Sequence, residues 1–242
     1  MSNPVFNENA FRAAQERQTA LKSGVMTLNG TVNKTFLLLF ICLCGAMLGW
    51  AKPETFVPFT WAVLIAAFVI VLVISFKPNV AGLLSPVYAF LQGIFLGVIS
   101  LAFQTQYQGI VLSAVGVTLA VFFVMLFIYR TGIIKVTPGF TRVILSATLG
   151  IVIFYAIALL YSAITHRPSV LASKGPLSIG ISVVVCAVAA FNFMLDFNFI
   201  EKASASGSAP KYFEWYGAFG LMVTLIWLYL EILRLLSKFQ RR

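Results

Sequence analysis

Seven stretches of largely apolar residues, each long enough to cross a bilayer as a helix, constrain this chain more than any other feature. They run over about residues 35–51, 57–76, 84–103, 109–129, 141–164, 177–199 and 213–236. A helix rising 1.5 Å per residue needs roughly 20 apolar residues to cross a hydrocarbon core of about 30 Å. Every proline falls in the N-terminal tail, in a link or in a first turn, Pro86 included, where the missing N–H costs little. Of the 242 residues, 60% are hydrophobic and 10% charged, against about a quarter charged in a soluble domain. These proportions exclude a water-soluble enzyme, a disordered chain and a disulfide-stapled module. The expected fold class is an all-α membrane protein, a bundle of seven transmembrane helices joined by short links that make successive helices antiparallel.

The expected organisation is a polar N-terminal tail over 1–33, a transmembrane domain over 34–238 and a basic tail over 239–242. Asn29-Gly30 reads as a turn before the first span, and Phe11, Ala14 and Leu21 draw a weak apolar stripe suited to a short surface helix. No small-x-small cleavage site follows the tail, so the first span is expected to stay in the protein. The link 201–211, rich in Ser, Ala and Gly, has the most flexible composition.

The formal net charge is +10, but the 17 Lys and Arg are spread over loops and termini and form no face for nucleic acid. Arg12, Arg17, Lys22, Lys34, Lys77, Arg130, Lys135, Arg142, Lys202 and Lys211 fall on the N-terminal side. Lys52, Arg167 and Lys174 fall on the other, joined by Arg234, Lys238, Arg241 and Arg242 if the last helix crosses fully. Basic residues collect on cytoplasmic loops, which sets the N-terminus in the cytoplasm. Cys42, Cys44 and Cys186 lie within apolar stretches and read as small buried side chains, neither bridges nor ligands.

Gly45-xxx-Gly49 and Gly93-xxx-Gly97 have the spacing that lets membrane helices approach closely. In the sixth span Ser178, Ser182, Cys186, Ala189, Asn192 and Asp196 recur at helical spacing on one face. Gly217, Gly220, Thr224, Trp227 and Glu231 do the same in the seventh. Both faces should meet protein or water, since lipid penalises polar groups.

Asp196 and Glu231 lie inside spans, while Glu201 and Glu214 flank the link between the last two. A carboxylate at membrane depth costs about 3 kcal/mol on insertion scales and is by default a candidate functional group. Asp196 is expected near the cytoplasmic end, level with Glu201 and Glu214. Glu231 belongs near the opposite face, where Arg234 offers an ion pair at helical spacing. Asp196 has no base within four positions, which leaves a structural hydrogen bond, proton sensing or cation binding open for it. Its oxygens would suit Ca²⁺, though one acid is too few to name an ion or assign a firm metal site. Gln92 and Asn192 are polar groups within spans, read first as interhelical hydrogen bonds. His166, the single histidine, sits in a loop, and Gly-x-Ser-x-Gly, HExxH, CxxC and phosphate-cradling loops are missing from the sequence. No enzymatic activity and no cofactor is expected.

Four segments carry a resemblance: MTLNGTVNKT at 26–35, SPVYAFLQGIFLGVIS at 85–100, LDFNFIEKA at 195–203 and EWYGAFGLMVTLIWLYLEILRLL at 214–236. With the seven-span pattern they make the chain similar, from about residue 26 to 238, to the bacterial branch of the Bax inhibitor-1 family. The resemblance implies a seven-helix bundle with the last helix central, a bacterial inner-membrane location, and a pH-sensitive Ca²⁺ or cation leak gated by two aspartates on the sixth and seventh helices. Asp196 matches the first aspartate. Thr224 stands at the second position, where it cannot ionise, and Glu214 or Glu231 could substitute. Gln92 stands where relatives often carry glutamate. In the mechanism expected from this, protonated Asp196 bonds to the seventh helix and holds the cytoplasmic end closed, and the ionised form loses that bond and attracts cation. The alternative expectation is a non-transporting protein that binds and modulates a membrane protease through its N-terminal tail.

Overall fold

The computed structural model describes residues 24–165 and 175–240, nearly all of them helical. The tail stripe of Phe11, Ala14 and Leu21, and the loop around His166, lie outside the described residues. The seven membrane-length helices are α1 (Leu28–Ala51), α2 (Thr60–Phe76), α3 (Ala81–Gln106), α4 (Ile110–Thr131), α5 (Pro138–Thr165), α6 (Pro176–Ala205) and α7 (Phe213–Gln240). Short turns of helix lead into α2 and α3 over Pro53–Phe59 and Pro78–Val80. Left-handed Gly109 and Gly132 bound α4, conformations that side chains with a Cβ resist.

The last helix is the axis of the bundle. Of its most apolar stretch, 56% is buried within the protein, against 11% for α5. α7 packs directly on α1, α3, α4 and α6. Ala218, Phe219 and Met222 of α7 share one apolar cluster with Ala67 and Ile74 of α2. α5 is the least buried helix: it packs on α6 and reaches α7 through the side chain of Tyr155. The last helix holds 28 residues with a single apolar window, so it is long enough to cross fully despite its basic end.

The tightest interface joins α1 to α3, and the glycine spacings explain it. A Cβ on Gly93 would strike the Cys42 carbonyl, and one on Gly97 the Ala46 carbonyl. Gly45 and Gly49 press in turn on the carbonyls of Phe90 and Ile94. Backbones thus touch across the pair, and dispersion between them replaces the hydrophobic drive that lipid cannot supply.

Three local expectations are corrected. α1 begins at Leu28, so Asn29-Gly30 lies in its first turn and no hairpin or loop turn forms there. Thr27 caps the helix by accepting from the Gly30 N–H at 3.0 Å. Pro86 lies inside α3, because that helix starts at Ala81 directly after the Pro78–Val80 turn. The link 201–211 is also less free than its composition suggests. Helix α6 runs on to Ala205, and the remainder is strapped to the chain before α1. Met26 N–H donates to Ala209 O at 2.8 Å and Lys211 N–H to Gly24 O at 2.9 Å, around a bridge between Val25 and Pro210.

Candidate functional site

The polar faces of α6 and α7 meet, as their spacing predicted, and Asp196 lies in the half of the bundle where α7 begins. Thr224 Oγ1 lies 2.7 Å from Asp196 Oδ2 and 3.2 Å from the carbonyl of Gly220 on its own helix. The other carboxyl oxygen, Oδ1, lies over Gly220. It opens on a cavity of about 390 Å³ between α2, α6 and α7, lined among others by Ser75, Tyr216, Gly217 and Thr224. Ser75 is near the end of α2 and Tyr216 near the start of α7, so the cavity lies toward the end where α1 and α7 begin. Neither ion pair among the described residues includes Asp196. Its partner is ten residues into α7 from Glu214, roughly 15 Å along the axis. Asp196 is therefore deeper than the expected level of Glu201 and Glu214.

The Asp196–Thr224 contact bears on the expected gate chemistry. A threonine hydroxyl both donates and accepts. Against ionised Asp196, Thr224 donates to the carboxylate. Against protonated Asp196, it accepts and turns its own hydrogen to the Gly220 carbonyl. A hydroxyl at this position can therefore bond the carboxyl group in either protonation state. What changes is the charge presented to the cavity.

The other expected site residues are not brought to Asp196. Glu214 is buried at the bundle end and receives the Thr27 N–H at 2.9 Å, the Thr27 hydroxyl at 2.8 Å and the Lys34 ammonium. It clasps the start of α1 to the start of α7. A Cβ on Gly30 would collide with that carboxylate, which is why glycine stands inside the first turn. Glu201 accepts from the Tyr129 hydroxyl and ties α6 to α4. Asn192 donates to Thr148 Oγ1 at 2.9 Å, an interhelical bond to α5. Gln92 departs from the interhelical expectation: its amide donates to the Tyr88 hydroxyl, 3.4 Å away one turn earlier on the same helix, α3.

Glu231 is in the other half, toward the end of α7. Arg234 Nη1 bonds both of its oxygens, at 2.9 and 3.0 Å, and the Tyr155 hydroxyl donates to it at 2.8 Å. The helix-end ion pair is thus present, closed by a residue of α5 that sequence reasoning missed. Lys238 was missed as well. Counted only as tail charge, it is buried, with its amine on Ser178 and Ser182. The signal was available: Thr224, Glu231 and Lys238 stand seven apart on one stripe of α7.

Seven membrane-length helices around a central last one, joined along α6 and α7 by buried polar pairs, define a multi-pass membrane protein. The chain belongs to the Bax inhibitor 1 like family, whose family model matches residues 3–241. Comparison with curated proteins gave no match.

Proposed function

We propose that the protein is a pH-responsive cation leak, with Asp196 as the group that senses protons and meets the cation; calcium is the cation that the family resemblance implies. One observation carries this reading: a carboxyl group inside a span has one oxygen on Thr224 and lines a cavity, with no basic residue bonded to it among the described residues. A merely structural aspartate would be expected to have both oxygens engaged, given the cost of a charge at that depth. Ionised, Asp196 draws a cation into the cavity. Protonated, it presents a neutral hydroxyl and the attraction is lost.

On this reading the chain moves ions and catalyses no reaction. The cavity faces the cytoplasm of a bacterial inner membrane, as the excess of basic residues at that end implies. The test is Ca²⁺ entry into liposomes carrying the purified protein, beside protein-free liposomes of the same lipid. Entry above the protein-free rate is the expected result. Entry no faster than in empty liposomes, at any pH, would overturn the proposal and turn attention to a protein partner.

A further inference from the structure

At the far end of the α6–α7 seam a lysine does something unusual for a helix end. Lysines near membrane surfaces ordinarily extend to water along their apolar stem. Lys238 is only 7% exposed, and its amine turns inward onto the first turns of α6. There, among the described residues, it meets three oxygens and no carboxylate: Ser178 O at 3.0 Å, Ser178 Oγ at 2.6 Å and Ser182 Oγ at 2.7 Å. Three acceptors match the three N–H donors of an ammonium, and a carbonyl can only accept.

Nothing about the helix end favours this arrangement. The amino end of α6 is the positive pole of its dipole and opposes a cation. The charge is held by specific oxygens, a carbonyl and two hydroxyls, the ligand type that replaces the hydration shell of an alkali ion in a selectivity filter. Among the described residues, the other charged groups nearby are Glu231 and Arg234, and these already pair with each other. Ser178 and Ser182 begin the same polar stripe of α6 that ends at Asp196, so the two features close opposite ends of one seam.

We infer that Ser178 and Ser182 form a monovalent-cation site at the outer end of the α6–α7 seam, filled in the resting protein by the tethered ammonium of Lys238. The lysine acts as a built-in plug. Its fixed positive charge repels an incoming cation, and withdrawing it leaves an oxygen site for Na⁺ or K⁺. The plugging role rests on the cation-leak reading above; the site itself does not.

The test separates the two. Purified Lys238→Met in detergent is melted in NaCl, KCl or choline chloride at equal ionic strength, beside the native protein. The variant should gain about 2–4 °C in midpoint in Na⁺ or K⁺ over choline, as ligand linkage requires. The native protein should show no difference, and adding Ser182→Ala to the variant should abolish the gain. A folded Lys238→Met that ignores the cation, or a native protein that responds equally, overturns the site. Ser182→Ala alone keeps the lysine and serves if Lys238→Met does not fold. It removes one of three acceptors and should raise flux in liposomes several-fold over the native protein. Unchanged flux overturns the plug. If the native protein conducts nothing, the leak reading fails while the melting result still decides the site.

Discussion

At the scale of single residues, the contact between Asp196 and Thr224 organises the half of the seam where α7 begins, and the hydroxyl is its essential part. Thr224→Val keeps the shape and removes the hydrogen bond, leaving a half-buried carboxyl without a donor. That should cost about 1–3 kcal/mol of stability near neutral pH, while Thr224→Ser should restore most of it. Thermal unfolding in detergent measures both, and equal midpoints for the two variants would contradict the contact. Glu214 makes a different point. It looks like a member of the acidic site in sequence because it is acidic and near a span end, yet its three donors come from residues 27 and 34. Glu214→Ala should lower stability by about 1–3 kcal/mol, since Lys34 can turn partly to solvent, and should leave the pH dependence of any flux unchanged. A flattened pH profile in that variant would place Glu214 in the sensor after all.

At the scale of elements, the described glycines that press on the backbone of another helix lie on α1 and α3. Gly93→Ala places a methyl against a carbonyl that cannot retreat without moving the helix, and a loss of about 1–3 kcal/mol is expected. Gly150→Ala, on α5 with nothing within 4 Å of the added atom, should be neutral or stabilising by about 0.5–1 kcal/mol. Similar losses for both would refute the packing account. Most of these elements are legible in the amino-acid sequence, because hydrophobic length and helical spacing are local properties. The small and polar faces of α6 and α7 follow from spacing of three and four, and they do face each other. What spacing cannot supply is the partner. Asn29-Gly30 reads locally as a turn, and only a carboxylate at position 214 explains why glycine sits inside a helix there. The two glycine pairs are each common patterns, and nothing local says that they dock on one another. The depth of Asp196 differs from expectation for a related reason: α6 runs past Glu201 to Ala205, which sinks the aspartate further than a helix ending near 199 would.

At the scale of the whole molecule, burial falls from the axis outward. Leu233 on α7 is fully buried and Leu160 on α5 is exposed. Leu233→Ala should therefore cost about 2–5 kcal/mol and Leu160→Ala within about 0.5 kcal/mol in detergent. The same architecture separates the two ends of the polar seam, with Asp196 opening on a cavity at one and Lys238 held by serine oxygens at the other. Lys238 is hard to find by sequence because a basic residue near a C-terminus reads as tail charge; the fold turns it inward because Ser178 and Ser182 begin the helix beside it. Removing residues 1–24 should leave any leak intact, whereas a protein that acts by gripping a membrane partner through its tail would lose that binding. The central claim, that the charge on Asp196 governs cation passage, is tested most directly by Ca²⁺ flux into liposomes between about pH 5 and 8, with the native protein beside Asp196→Asn. The account predicts native flux that rises with pH as the carboxyl ionises, and flux in the variant that is low and flat. A variant whose pH profile matches the native one would contradict it.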